Sequence, residues 1–313
     1  MQLTDTHCHI HEASVAKNKD DPTHALWLKA EINDGDELIH RATEKEVTRL
    51  ICVGTTANDS QRAVEFAQTH SNVWASVGLH PHEAKFARTA LPVLQSLLSS
   101  EPPQDLVAGD GEEGTPPTRS GTPRGHGGRS LSGRTRDAFV GVGIKKIVAI
   151  GECGLDYFYN HSDKHDQEAA LRAQIELAIA HDLPLIFHVR EAFDDFWPIF
   201  DSYKGLRGVL HSFTDSQANL AKALERDLFI GVNGIMTFTK EQSQLDMARA
   251  IPLTKLLLET DAPFLTPVPF RGRVNEPAHV RLVAEFMAHL RGEPLAELAN
   301  HTSANAQSLF RFK

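Results

Sequence analysis

The chain has 313 residues, of which 41% are hydrophobic and 23% are charged. This is an ordinary globular composition, which excludes a fibrous repeat and a wholly disordered chain. The formal net charge of −9 argues against a protein that coats nucleic acid through its charge alone. The 17 histidines are unusually many, and they direct attention to metal ligands.

The sequence begins MQLTDTHCHI, which has neither the basic nor the apolar region of a signal peptide. No apolar run approaches the ~18 residues that a membrane-spanning helix needs. Cys8, Cys52 and Cys153 are too few and too scattered for a disulfide framework, so reduced thiols are the simplest interpretation. Together these features predict a cytoplasmic protein without a membrane segment.

Residues 101–137 differ in composition from the rest of the chain, with eight glycines, five prolines and few apolar side chains. Such a segment cannot bury enough surface to offset the entropy of ordering it, so it is predicted to be a flexible insertion. Its charges are segregated, with five acidic residues in 101–113 and five arginines in 114–137. The remaining length suits one barrel, so we expect residues 1–313 to form a single domain that the insertion interrupts.

Eight short apolar runs bounded by polar or glycine residues fit buried parallel strands. They occupy residues 2–9, 49–54, 73–79, 146–151, 183–188, 208–212, 228–233 and 255–259. Helical patterns lie at 34–48, 58–70, 83–99, 164–181, 191–203, 215–226, 239–250 and 275–291. Eight repeats of strand and helix predict an α/β fold, the TIM (β/α)8 barrel, and an open doubly wound sheet is the alternative.

Histidines and carboxylates recur at the ends of the predicted strands, where the catalytic residues of a TIM barrel gather. These residues are His7, His9, His80, Glu152, His188, His211 and Asp261. His7 and His9 point to the same side of their strand, and Cys8 points to the other side. Histidines that only pack at strand ends are the alternative for His188 and His211. Four histidines and two carboxylates would form a nitrogen and oxygen shell for one or two divalent metals.

Several motifs resemble the TatD-type metal-dependent deoxyribonucleases of the amidohydrolase superfamily. They are DTHCHIH at 5–11, GLHPH at 78–82, GECGLDY at 151–157, FHVREA at 187–192, LHSFTD at 210–215, LLLETDAPFLTP at 256–267 and RGRVNEPAHV at 271–280. The resemblance implies two divalent ions (Zn, Mn, Mg, Co or Ni) held by His7, His9, Glu152, His188, His211 and Asp261. It also implies that Glu152 bridges the ions, that Asp261 accepts a proton, and that His80 contacts substrate.

Lys146 is a second candidate for the bridging position, because many amidohydrolases bridge their metals with a carbamylated lysine. It has the same strand parity as Glu152 but precedes it by six residues. At ~3.3 Å per residue this places Lys146 roughly 20 Å away, at the opposite end of the strand. Glu152 is therefore the preferred bridge.

Three arginines could meet a substrate phosphate: Arg190, two residues after His188, and Arg271 and Arg273 after the eighth strand. Each could instead be a solvated or structural side chain. Trp27 lies in a long first strand-to-helix connection, 10–34, and is expected to pack rather than to stack on a base.

We therefore expect a monomeric hydrolase of phosphodiester bonds with DNA as the favoured substrate and 3'-5' exonuclease action as one option. Asp261 would take the proton of the attacking water, and His80 and Arg190 would stabilise charge on the nonbridging oxygens. The same site would also suit a D-aminoacyl-tRNA deacylase or another amide or ester hydrolase. A hypothesis of another class is a binding or scaffold protein with a vestigial site, but the complete ligand set argues against it.

Overall fold

Eight parallel strands pair in chain order to form one sheet. They are β1 (Leu3–Cys8), β2 (Val47–Val53), β3 (Val73–Val77), β4 (Ile147–Asp156), β5 (Leu185–Arg190), β6 (Gly208–Leu210), β7 (Phe229–Val232) and β8 (Leu256–Leu258). The end of β1 also contacts the segment that follows β8. Cys8 forms a parallel bridge with Ala262, and His9 N donates to Ala262 O at 2.8 Å. The sheet thereby closes into the predicted TIM barrel.

The computed structural model describes residues 1–14, 22–32, 34–99 and 146–312. The predicted flexible insertion, 101–137, lies outside the described residues, so its flexibility stays a prediction. None of the described helices is both long and apolar enough to cross a membrane.

The described α-helices pack around the strands. They are α1 (Pro22–Lys29), α2 (Gly35–Glu44), α3 (Ala57–Gln68), α4 (Ala87–Leu98), α5 (Lys164–Ala180), α6 (Phe193–Asp201), α7 (Gln217–Glu225), α8 (Gln242–Ala250), α9 (Val280–Arg291) and α10 (Leu295–Phe310). The predicted helix 34–48 ends earlier, and β2 begins at Val47 instead of 49. The predicted helix 275–291 is α9 preceded by a separate 3-10 turn, Pro277–His279.

Two helices were not predicted. Helix α1 lies inside the first strand-to-helix connection, which the sequence suggested to be a loop. Helix α10 follows α9, and its buried face consists largely of small or polar residues such as Thr302 and Ser303. Their hydroxyls donate to backbone carbonyls of Leu298 (3.0 Å) and Gln2 (2.8 Å), so a weakly apolar pattern still packs.

Side chains alternate between the two faces of the strands. On β2, Leu50 and Cys52 join the core between sheet and helices, whereas Ile51 and Val53 join a smaller cluster with residues of β3 to β6 and β8. This smaller cluster is the apolar filling of the barrel. Phe312, just after α10, belongs to it and packs on Trp74 with ring centroids 4.5 Å apart.

The polar site lies directly beyond this apolar filling. His188 follows the inward-facing Ile186 by two residues, and His211 follows Val209 by two. The strand period of two carries both imidazoles to the same side as their apolar predecessors. The strands that fill the barrel with aliphatic side chains thus also place imidazoles at the carboxyl end of the barrel.

Candidate metal centre

Glu152 lies at the centre of the polar cluster, within β4 and four residues before the strand ends. The sequence had suggested that the strand ends beside Glu152, but it continues to Asp156. Glu152 Oε1 is 2.9 Å from His188 Nδ1 and 3.0 Å from His211 Nε2. Its other oxygen, Oε2, is 3.3 Å from His7 Nε2. One buried carboxylate therefore faces imidazoles from β1, from β5 and from the residue just after β6.

Asp261 completes the cluster on the side of β1. Its Oδ1 is 3.5 Å from His7 Nε2 and 3.4 Å from His9 Nε2. Its backbone N donates to His7 O at 2.8 Å, and its φ of 59° lies in the left-handed region, which Asp tolerates better than most residues. Barrel closure thus fixes Asp261 beside the two histidines. The six side chains named from the sequence all converge, and their roles as ligands stay predictions.

His80 also reaches the cluster, with Nε2 3.4 Å from Glu152 Oε1. Its Nδ1 accepts the backbone N–H of His82 at 3.1 Å, so in the neutral ring Nε2 carries the proton. Burial lowers the pKa of His80 to about 4, against the pull of Glu152, and so keeps the ring neutral. His80 therefore presents a hydrogen-bond donor where the other histidines can present a lone pair.

Two of the candidate ligands are oriented by a contact of their second ring nitrogen within hydrogen-bond distance, and the second nitrogen of a third faces a carboxylate. His9 Nδ1 lies 2.8 Å from Val53 O, and His188 Nε2 lies 2.9 Å from Asp156 Oδ2. His211 Nδ1 lies 3.3 Å from Glu259 Oε1. A proton held on the outer nitrogen leaves the inner nitrogen free to coordinate, which is the usual arrangement around metal-binding histidines.

The two central carboxylates are held in the ionised form. Burial alone would raise the pKa of Glu152, but His211, His80 and His188 outweigh it and hold the pKa well below its usual range. Burial likewise opposes ionisation of Asp261, and His9 and His7 lower its pKa in spite of it. Carboxylates bind cations in this ionised form.

The donor set fits a divalent metal. His7 is wholly buried, and neither of its ring nitrogens has a hydrogen-bond partner among the described residues. An imidazole in this position is costly unless something else binds it. Potential ligand atoms of His7, His9 and Glu152, of His7, His211 and Asp261, and of His80, Glu152 and His188 form three groups, each within 4.8 Å. Imidazole nitrogens with carboxylate oxygens suit borderline divalent ions.

The side chains that were not expected to contribute to the site do point away from the metal centre. Cys8 Sγ donates to Ile51 O at 3.4 Å, and Cys153 Sγ to Ile186 O at 3.7 Å, both in the core. Lys146 Nζ donates to Val73 O at 3.0 Å, where β3 begins, so it lies at the opposite end of the barrel from Glu152. Trp27 is fully buried and donates from Nε1 to His9 O at 3.3 Å, which confirms that it packs.

The three predicted phosphate-binding arginines lie outside the cluster. Arg190 is exposed at the end of β5, with its guanidinium 3.9 Å from the ring centre of Phe158. Arg271 stacks on Phe238 at 3.6 Å and donates to Thr266 O at 2.7 Å. The Arg273 guanidinium is 5.8 Å from the ring centre of Phe270. Their contacts with substrate stay predictions.

Two carboxylates that were not predicted from the sequence, Asp156 and Glu259, lie beside the outer ring nitrogens of His188 and His211. The strand period offered a signal for both. Asp156 has the parity of Glu152 on β4, and Glu259 has the parity of Asp261 beyond β8. His82 was missed as well, and its Nε2 lies 3.1 Å from Asp156 Oδ2. A search for acidic residues two or four positions from each candidate ligand would have found the two carboxylates.

A parallel barrel whose strand ends join five histidines and two ionised carboxylates is the arrangement of the TIM-barrel metal-dependent hydrolases. Comparison with known proteins agrees. The family model described as "TatD related DNase" matches residues 4–311. The chain belongs to this family.

Curated relatives cover most of the chain. The "uncharacterized metal-dependent hydrolase YabD" of Bacillus subtilis is 32% identical over 92% of this chain and 98% of its own length. The "3'-5' ssDNA/RNA exonuclease TatD" of Citrobacter rodentium is 32% identical over 89% of this chain and 92% of its own. Among solved structures, the TatD homologue YjjV of Escherichia coli has a TM-score of 0.73 and 26% identity, over 99% of this chain and 98% of its own.

Proposed function

We propose that the chain is a metal-dependent nuclease that hydrolyses phosphodiester bonds in single-stranded nucleic acid, with DNA as the favoured substrate. One observation carries the proposal: the Glu152 carboxylate lies between His7 on one oxygen and His188 and His211 on the other. The preference for single strands draws on the relatives named 3'-5' ssDNA/RNA exonucleases.

Two ions fit this arrangement better than one. His7, His9 and Asp261 would hold the first on the Oε2 side of Glu152, and His188 and His211 would hold the second on the Oε1 side. Glu152 would then bridge the pair. When bound, such ions act as Lewis acids and make a water nucleophilic near neutral pH.

Asp261 is the group best suited to take the proton from the attacking water. Its side chain is 15% exposed, so it faces the mouth of the site, and its lowered pKa keeps it ionised and able to accept a proton. As the oxygen of water bonds to phosphorus, the ester oxygen of the nucleotide leaves. His80, neutral and with its proton on Nε2, would donate a hydrogen bond to a nonbridging phosphate oxygen.

The experiment compares oligonucleotides labelled at the 5' or the 3' end, incubated with the full chain and Mg²⁺, Mn²⁺ or Zn²⁺. Ladders that shorten from the 3' end support the exonuclease mode, and internal fragments support an endonuclease. A D-aminoacylated tRNA is assayed in parallel. Hydrolysis of its ester with no cleavage of any oligonucleotide would replace the proposal by the deacylase alternative. Light scattering at the assay concentration tests the expectation of a monomer.

A further inference from the structure

A group of exposed aromatic residues lies beside the candidate metal centre. Phe158 and Tyr159 occupy the turn directly after β4, and their side chains are 50% and 51% exposed. Their rings meet edge to face with centroids 4.8 Å apart. The Arg190 guanidinium lies 3.9 Å from the centre of the Phe158 ring and 4.8 Å from that of Tyr159. We call Phe158, Tyr159 and Arg190 the aromatic platform.

The aromatic platform is fixed to the metal centre by one carboxylate. Asp156 Oδ1 accepts the backbone N–H groups of Phe158 and Tyr159, each at 3.0 Å, and so sets the turn. Asp156 Oδ2 lies 2.9 Å from Nε2 of the candidate ligand His188. Tyr157 N donates to Arg190 O at 3.0 Å, which ties the turn to β5. Two large apolar rings are therefore held in solvent, although nothing in the packing of the described core requires them there.

The distance from the platform to the reacting centre is short. The His82 ring lies between them, 5.4 Å from the Tyr159 ring and 6.4 Å from the His188 ring, centroid to centroid. A group bound on Tyr159 would therefore belong to the same nucleotide as the scissile phosphate or to its neighbour.

Basic side chains lie near these rings. Besides Arg190, Lys85 Nζ lies 3.3 Å from His161 O, and the His161 ring stacks on Tyr159. Lys164 Nζ lies 3.8 Å from the centre of the Tyr157 ring, which also has the carboxylates of Asp195 and Glu168 nearby. Aromatic rings among cations are the arrangement with which proteins bind single-stranded nucleic acid.

We propose that Phe158, Tyr159 and Arg190 form a stacking site for an unpaired nucleobase of the substrate strand, next to the scissile phosphodiester. Phe158 and Tyr159 each keep about half of their surface exposed beside their contacts with Arg190 and His161, which leaves room for a base, and Arg190 and Lys85 attract the adjoining phosphates. A base inside a duplex cannot enter, because its neighbours in the stack cover both of its faces. This inference rests on the proposed nuclease function and adds the part of the site that selects single strands.

The test uses two single-stranded oligonucleotides that differ only in their last three nucleotides, which carry bases in one and tetrahydrofuran abasic sites in the other. The wild-type chain should have a KM about tenfold lower for the oligonucleotide with bases, as stacking on aromatic rings allows. The double variant Phe158→Leu/Tyr159→Leu should lose this difference by raising KM for that oligonucleotide alone, with kcat and the abasic KM unchanged.

Two further variants keep the test specific. Tyr159→Phe retains the ring and should behave as the wild type. Ile179→Ala removes an exposed apolar side chain, 49% exposed near the end of α5 and thus at the opposite end of the barrel, and should also leave both KM values unchanged.

Binding is measured separately from activity. The Glu152→Gln variant is mixed with an oligonucleotide that carries the fluorescent base 2-aminopurine at its 3' end. Binding should quench the fluorescence of this base, and the added Phe158→Leu/Tyr159→Leu change should abolish the quenching. The inference would be overturned if the Phe158→Leu/Tyr159→Leu change left unaltered either the ratio of the two KM values, with and without bases, or the quenching. If the wild-type chain cleaves no oligonucleotide, the proposed function fails, and the quenching experiment still decides the stacking site.

Discussion

Asp156 and His188 form a carboxylate–imidazole pair, with Oδ2 2.9 Å from Nε2, on the side of the ring that faces away from Glu152. The inner nitrogen of the same ring, Nδ1, lies 2.9 Å from Glu152 Oε1. Asp156 therefore fixes both the rotation of the His188 ring and the nitrogen that carries its proton. Such outer carboxylates raise the basicity of metal-binding histidines.

Asp156→Asn should weaken binding of the divalent ion by about 10- to 100-fold, the usual cost of losing an outer partner. Calorimetric titration of the metal-free chain measures this directly. Asp163→Asn is a matched control, because Asp163 is exposed at the start of α5 and its side chain makes no capping hydrogen bond. Equal metal affinities in the Asp156→Asn variant and the wild type would contradict a positioning role.

Glu152→Gln should retain the fold and lower kcat on single-stranded DNA by about a hundredfold or more, because a neutral amide bridges two cations poorly. Metal content is measured by mass spectrometry on the same samples. Glu225→Gln, at a side chain that is 74% exposed, controls for the loss of one negative charge. A near-normal kcat together with normal metal content in Glu152→Gln would exclude the bridging role.

Chelation should abolish hydrolysis and lower Tm, because an ion that binds only the folded chain stabilises it, by about 2.7 kcal/mol at a concentration 100 times Kd. Adding back Mn²⁺, Mg²⁺ or Zn²⁺ should restore both quantities. Differential scanning calorimetry with and without EDTA makes the measurement, and Glu152→Gln should show a smaller shift in Tm. Full activity after exhaustive chelation would refute metal dependence.

Acid should destabilise the chain partly through His279. Burial lowers the pKa of His279 to about 4, and Arg41 adds to this effect. The unfolded chain binds a proton near the ordinary value of about 6.5, so this contribution is complete above that pH and is lost as the pH falls towards 4. At about 1.4 kcal/mol per pKa unit, a shift from about 6.5 to about 4 corresponds to about 3 kcal/mol.

His279→Gln should therefore reduce the fall in unfolding free energy between pH 7 and pH 4, as measured by urea denaturation at each pH. The variant retains a donor for Asn275 Oδ1, which lies 2.9 Å from His279 Nδ1. His301→Gln, at an exposed position on α10, is the matched control. Parallel pH profiles for the wild type and His279→Gln would show that His279 does not contribute.

Deletion of residues 101–137 should leave kcat within about twofold, because a connection from helix to strand lies on the face opposite the catalytic one. The flanks support this placement: α4 ends at Leu98, and Lys146 contacts the carbonyls at the start of β3. If the arginines of 119–136 instead attract the phosphate backbone, deletion would raise KM at low salt and have little effect at high salt. A large fall in kcat would contradict both versions.

The sequence predicted the strands well because each is an apolar run with sharp polar limits, and β3 and β7 lie within their predicted ranges. It predicted the convergence of the six candidate ligands because the ends of parallel strands meet at one face. It did not predict α10, whose buried face is too rich in small and polar residues to give a clear helical period. It also could not predict which nitrogen of His80 carries the proton, because this depends on the N–H of His82, a contact that only the folded turn creates.

Barrel closure brings the first strand of the chain into contact with the segments around β8 and with α10. Asp261 N bonds to His7 O, Ser303 in α10 donates to Gln2 O, and Asn305 donates to the carbonyls of Leu253 and Leu256 on either side of the start of β8. A polypeptide still emerging from the ribosome, or one truncated before β8, lacks Asp261 and the strand that brings it to His7. The proposed proton acceptor thus reaches its place only once β8 has paired, so we expect a chain that ends before β8 to lack hydrolytic activity.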